Sequence, residues 1–398
     1  MKYNIVAIGD VHWGAIDPDK QLQEFELFLQ FIEAMINEID LVVINGDYFD
    51  YKLPLNSRSA IHAINCMHRL VELSYGIDYE EYFKIRIVRG TKSHDEDQLE
   101  VFRNLESGMS TPSELSHFRI IDTLTMEETL EGLNILYGPD ENIQSDEYYV
   151  KYIDTLFNPK RINMGFFHGN FDILTNAAAV ESIKNNNLPT VIFDYNLLKN
   201  IINGPIITSH QHKHAIIHPL YNIGSYSRWE FDQEEPKGFG FITYDTETCN
   251  FEYKQIENIF TPEYDTYEFR TSDFKSTKEM TELVNVVKKK VSEDPTSHIR
   301  VKIIVDDESP EKAMFVSGIK DHFLNTRRVK VYVTNVKKQK QIEYEVKETQ
   351  DRINKFEYIT SPKYTETQKI KKYLLDEKHV DVPDEILEKY IGKYLNKK

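Results

Sequence analysis

A chain of 398 residues, 40% apolar and 28% charged, has the make-up of a soluble globular protein with room for two or three domains. Its net charge of -17 is concentrated in the first 260 residues, which excludes a body that coats nucleic acid through basic charge alone. No run approaches the roughly 20 apolar residues of a membrane span, and Cys66 and Cys249 lie in no CxxC pattern, so neither a membrane protein nor a disulfide or thiolate-zinc scaffold is expected.

In chain order, "MKYNIVAIGD" reads as a first strand rather than a signal peptide, and the cytoplasm is the expected location. Leu22, Phe25, Leu29, Ile32 and Ile36 recur at helical spacing. "IDLVVINGD" is a second strand, and "SRSAIHAINCMHRLVEL" a helix that starts at a Ser cap. "FKIRIVRG", "LNILYGP", "INMGFFHG", "GPIITSH" and "GFGFITYD" follow as strands. Several are apolar on both faces, as in a layered α/β fold. After residue 260 the character changes. "KSTKEMTELVNVVKKKV", "IRVKIIVDD", "PEKAMFVSGIKDHFL" and "RVKVYVTNV" alternate helix and strand, a small α+β domain over 261–337. Residues 338–364 suit a linker and 365–398 a helical tail. In that tail Ile386, Leu387, Tyr390, Ile391, Tyr394 and Leu395 form one apolar stripe.

Five strand ends finish in residues that bind metals: "GDVHWG" with Asp10 and His12, "NGDYFD" with Asp47, "RGTKSHD" with His94, "FFHGNFD" with His168, and "TSHQHKH" with His210 and His212. One such ending is weak evidence, since an isolated His near a strand end is commonly a satisfied core or surface residue. Five are strong, because a layered α/β fold gathers the carboxyl ends of its strands at one edge. Mixed carboxylate and imidazole ligands suit manganese, iron or zinc. Two such ions bind a phosphate and stabilise both attacking and leaving oxygens, while a nearby His protonates the leaving oxygen.

Asp10-Val-His12, Gly46-Asp47, Gly90…His94-Asp95, His168-Gly169 and His210-Gln-His212 resemble the five motifs of the calcineurin-like metallophosphoesterases. The resemblance implies a four-layer β-sandwich flanked by helices with a binuclear metal centre, most simply two Mn2+ ions. By position, Asp10, His12 and His212 would bind one ion, Asp47 would bridge, and His168 and His210 would bind the other. His94 would be the acid and Asp95 would orient it. His214 has no counterpart and reads as a surface residue. The third motif departs from the pattern. The family's Asn directly precedes the catalytic His, where Ser93 stands here, an uncharged and doubtful ligand. Either the longer loop presents another oxygen, or the second site is weak and filled with substrate, or the site is degenerate, the last ranked lowest because the other ligands remain.

"YNIGSYSRWEFDQEEPKGFGFITYD" resembles the segment after the last ligand in SbcD-type DNA repair nucleases, including phage-encoded relatives. From physics alone it is a hairpin with turn residues. This resemblance implies a manganese-dependent DNA exonuclease, and endonuclease, working with an SbcC-like ABC ATPase that docks on the helical tail. Dimerisation near residues 57–75 and 97–106 is implied by the same analogy. Lys288 to Lys290, Arg327, Arg328 and Lys330 are candidate phosphate contacts, although such runs are more often solvated faces. The competing readings are a phosphatase or phosphodiesterase for other substrates, and a non-catalytic scaffold that recruits the ATPase.

Overall fold

Side chains along a strand turn alternately to its two faces, and the first strand buries both. The structure, a computed structural model, describes residues 1–75, 82–95, 97–103, 117–140, 162–176, 192–231, 233, 235–273, 276–293, 297–306, 309–323, 326, 328–335, 365–378 and 381–387. In β1 (Lys2–Ile8), Val6 and Ile8 join one apolar cluster while Ile5 and Ala7 join another. The first cluster is roofed by α1 (Pro18–Ala34) and α2 (Arg58–Leu73). Asp17 starts α1 by accepting from the Asp19 and Lys20 amides, with Pro18 entering the first turn. Phe25, Phe28, Leu29 and Ile32 then bury one stripe of it. Ser57 caps α2, accepting from the Ala60 amide at 3.2 Å.

Parallel to β1 run β2 (Leu41–Asn45), β3 (Lys84–Val88) and β4 (Phe118–Ile121). The chain then enters a second sheet through β5 (Thr125–Leu130), β6 (Leu133–Gly138) and β7 (Met164–His168). A short parallel pair, β8 (Asn170–Phe171) and β9 (Ile192–Phe193), leads to α3 (Tyr195–Ile201). The second sheet is completed by β10 (Ile206–Ser209), β11 (Ala215–Ile217) and β12 (Leu220–Asn222). Returning to the first sheet, β13 (Gly238–Asp245) pairs antiparallel with β1, and β14 (Phe251–Glu257) with β13. The strand orders are β14-β13-β1-β2-β3-β4 and β11-β12-β10-β7-β6-β5.

Ile5, Ala7, Leu41 and Val43 of the first sheet pack on Ile135, Tyr137, Met164 and Phe166 of the second. Leu198 and Ile201 of α3 cover the far face of the second sheet with Leu136, Phe167 and Ile206. The layers are therefore helix, sheet, sheet, helix, the α/β sandwich expected from the sequence. Each strand expected before residue 260 is present. Missed were β4, β5, β8, β9, β11, β12 and β14, whose short or charge-interrupted runs carry no strong apolar signal. An ionic tie between the sheets runs from buried Arg86 of β3 to buried Glu127 of β5, which also takes Arg119 of β4.

The chain divides into two compact units, Met1–Asp265 with Val291–Ile299, and Thr266–Lys290 with Arg300–Lys398. Later elements are β15 (Tyr264–Arg270), α4 (Thr277–Glu293), β16 (His298–Val305), α5 (Pro310–Phe323), β17 (Val329–Asn335) and α6 (Glu366–Lys378). The three strands form one sheet in the order β15-β16-β17. The segment 338–364, Arg327, and Tyr390, Ile391, Tyr394 and Leu395 of the apolar stripe lie outside the described residues. Among the described residues no helix is long and apolar enough to cross a membrane.

Glu24 of α1 is fully buried and takes a hydrogen bond from Asn258 at 3.1 Å. Burial pushes its carboxyl from 4.5 up to about 7, against the pull of Ser227 and Asn258. A raised carboxyl pKa leaves the fold unpenalised below about 4.5 and penalised as pH climbs through about 7. Glu24→Gln removes that penalty. Urea denaturation should show the variant more stable by on the order of 3 kcal/mol at pH 8 and little changed at pH 4; parallel pH profiles for the two proteins would contradict this.

Candidate metal centre

The carboxyl ends of β1, β2 and β3 in the first sheet face those of β7 and β10 in the second. Asp10 follows β1, and its carboxylate accepts the His210 amide, just beyond β10, at 2.9 Å. Asp47 follows β2 and lies 3.2 Å from Nε2 of His168, the last residue of β7. Asn45, ending β2, donates its side-chain amide to the Phe167 carbonyl and to Ser209 Oγ at 2.9 and 3.1 Å. This contact holds the two sets of strand ends together.

Reaching that edge bends the backbone. Asp10, His12, Asp47 and His210 all adopt positive φ, between 48° and 83°, a region that non-glycine residues seldom enter. Gly46 precedes Asp47 at φ 81°, and a Cβ there would lie 2.0 Å from His168 Nδ1. Four such residues at one edge are a concentration of strain of the kind found at functional sites.

Among the described residues three groups could hold a metal ion: Asp10 with His12 and His212, Asp47 with His168 and His210, and His12 with Asp50 and His94, which shares His12 with the first. The imidazoles are oriented from behind. His168 Nδ1 donates to the Asn45 carbonyl at 2.9 Å, which leaves Nε2 on the Asp47 side. His12 Nδ1 donates to the Asp50 carboxylate at 3.0 Å. Its Nε2 is buried with no hydrogen-bond partner, 4.0 Å from Asp10 and 3.8 Å from Asp47. An orphaned ring nitrogen facing two carboxylates fits a divalent cation, and the carboxylate behind the His12 ring and the carbonyl behind the His168 ring are what metal-bound histidines use.

Against the pull of burial, Asp47 and Asp10 raise His168 to about 10, and Asp50, Asp47 and Asp10 raise His12, so the site attracts positive charge. Burial raises the Asp10 carboxyl to about 7, a shift that His168 opposes and the Asp47 charge adds to. Burial also works against Asp47, but the charge and hydrogen bond of His168 overcome it and hold that carboxyl below the usual range. Burial lowers His210 to about 4 and His212 to about 3, so both are neutral imidazoles with a free lone pair.

The remaining expected residues fall less simply. His94 is half-buried, its ring 4.8 Å from that of His12, and its Nδ1 donates to the Asp50 carbonyl. The Asp50 backbone therefore orients His94. Asp95 does not: its carboxylate accepts the Phe49 and Gly90 amides at 3.1 and 2.8 Å and braces the loops after β2 and β3. Ser93 is exposed. Thr91 occupies the position suggested for Ser93, with Oγ1 3.1 Å from Asp47 and 3.4 Å from both His168 Nε2 and His210 Nδ1. His214 stands outside all three groups, half-buried and stacked on Tyr253.

Three contributors escaped the sequence reading. Thr91 was visible as the residue after Gly90, had the motif been aligned from the strand rather than from the His. Asp50 lies in the quoted "NGDYFD". Trp229 packs beside His12 and His212, with ring centroids 4.5 and 4.8 Å away. Its segment also explains its turn residues. Ser225 donates its amide to the His212 carbonyl at 3.0 Å, as Lys237 does its ammonium at 2.7 Å. Arg228 folds the acidic bend by donating to the Gln233 and Glu235 carbonyls.

Among known proteins, no curated sequence matches the chain. The family model for the calcineurin-like phosphoesterase matches residues 3–247, which is more than half of the chain and spans every residue of the metal centre just described. With its donor groups gathered where two sheets meet, the chain belongs to the calcineurin-like phosphoesterases and is a metal-dependent phosphoester hydrolase.

Proposed function

We propose that the protein is a DNA nuclease of the SbcD type, an exonuclease that also cuts internally, with two divalent ions, Mn2+ by preference, and an SbcC-like ABC ATPase as partner. The observation that carries this reading is the 223–239 segment. It resembles the corresponding part of those nucleases, and it supports His212 through Ser225 and Lys237 while bringing Trp229 to the site. An aromatic face beside the reacting phosphate suits a substrate that carries bases.

In the proposed centre Asp10, His12 and His212 would hold one ion, His168 and His210 would hold the other, and Asp47 would be shared. Bound there, divalent ions would supply Lewis acidity toward the phosphoryl oxygens. His94, held at Nδ1 by the Asp50 carbonyl, keeps Nε2 for the proton that the departing sugar oxygen requires. Asp95 keeps the β2 and β3 loops in register and stands behind the chemistry. For the ATPase, Ile370, Tyr373 and Leu375 of α6 are exposed apolar side chains on the tail that would dock. Self-association through α2 belongs to the same proposal, with Ile61 as its exposed apolar residue.

The test is cleavage of linear duplex and single-stranded DNA by purified protein with Mn2+. His94→Ala should slow it about 100-fold, the usual contribution of one general acid, while Mn2+ binding is retained. An unchanged rate would remove His94 from the mechanism. Turnover of an aryl phosphodiester without any DNA cleavage would favour a phosphodiesterase for smaller substrates.

A further inference from the structure

We propose that the Thr91 hydroxyl is a ligand of the Asp47–His168–His210 group, replacing the Asn of the family pattern, and that this makes the group the weaker of two unequal cation sites. The inference rests on the binuclear reading above and specifies one half of it.

Four observations support it. Thr91 directly follows Gly90 at the end of β3, where the pattern places Asn. Its Oγ1 reaches one atom of every member of the group, at 3.1 Å from Asp47 Oδ2 and 3.4 Å from each imidazole nitrogen. Its amide donates to Asp47 Oδ1 at 2.6 Å, so the side chain sits on a fixed backbone. The additional residues of the loop fold into a turn, with the His94 and Asp95 amides donating to the Thr91 carbonyl at 2.9 and 3.0 Å. That turn carries Lys92 and Ser93 outward and returns His94 to the site. The insertion is accommodated between the two functional residues, and neither is displaced.

The inequality follows from charge and ligand type. Asp10 and Asp47 both face the group containing His12 and His212, whereas the Thr91 group has the shared Asp47 as its one carboxylate. A neutral hydroxyl completes it. Affinity for a hard divalent cation rises with the number of charged oxygen ligands. A hydroxyl also favours Mn2+ or Mg2+ over zinc, which prefers nitrogen and sulfur. One ion is then resident and the other exchangeable at ordinary metal concentrations.

The test is Mn2+ titration of the full-length protein by calorimetry and by the electron paramagnetic resonance of free Mn2+. Native protein should bind two ions with dissociation constants at least tenfold apart. Thr91→Asn should tighten the weaker event several-fold and leave the tighter one unchanged. Thr91→Val should lose the weaker event, and Thr91→Ser should restore it. If native protein binds two ions and both Asn and Val variants keep its constants, Thr91 is not a ligand, although the binuclear reading stands. If native protein binds no ion, the binuclear reading itself fails. Should the Val variant not fold, the Asn and Ser variants carry the comparison.

Discussion

If the chain is the proposed nuclease, Asp47→Asn should fold normally and cleave DNA on the order of 1,000-fold more slowly than the native chain. Asparagine keeps the shape of the side chain and tolerates the left-handed backbone at φ 48° better than most residues. One oxygen remains to accept from the Thr91 amide, so the β3 loop keeps its anchor. What disappears is the charge. Asp47 faces His168 at 3.2 Å and His12 at 3.8 Å, and therefore belongs to both halves of the centre. Its loss should weaken both Mn2+ binding events, whereas Thr91 variants alter one. Circular dichroism checks the fold, and DNA cleavage with metal titration checks the rest. Activity within tenfold of native would mean that Asp47 does not bridge the ions.

A large loss of stability from a single methyl group is expected at Gly46. Alanine there must adopt φ 81° and place its Cβ 2.0 Å from His168 Nδ1, a ring fixed by its bond to the Asn45 carbonyl. Left-handed strain of about 1–2 kcal/mol and overpacking of about 1–3 kcal/mol together predict destabilisation of about 2–5 kcal/mol. Gly132→Ala provides the control, since Gly132 has φ 69° but no atom within 4 Å of an added Cβ. It should lose only the backbone part, about 1–2 kcal/mol. Equal midpoints for the two variants in urea would show that the His168 contact contributes nothing.

How much of this could be read from the sequence depended on whether the signal was local. Strands such as "LVVIN" and "MGFFH" announce themselves by unbroken apolar runs, and they fix where Asp47 and His168 must stand. Strand β5 hides because its "TMEETL" buries Glu127 against Arg86, a pairing that no local pattern reveals. The ligand endings were legible as residue types at strand ends. The partners behind them were not, because the bond from His12 to Asp50 spans 38 positions and that from His168 to Asn45 spans 123. Asp95 shows the opposite error. Adjacent to His94 in sequence, it was expected to steer that ring, yet its carboxylate is committed to backbone amides of its own loop, at Gly90, and of the loop after β2, at Phe49. Ser93 shared that weakness, since adjacency to His94 said nothing about which loop oxygen reaches Asp47.

The amide of His210 meets the carboxylate of Asp10 across 200 positions of sequence and between the two sheets. An ion gripped from both sheets acts as a clasp, because fraying of any one contributing strand releases it. Resistance to unfolding and to proteolysis in the first unit thereby becomes a function of free cation, by about 1.4 kcal/mol for every tenfold excess over the dissociation constant. Scarcity of metal would not merely silence such a protein. It would also shorten its life.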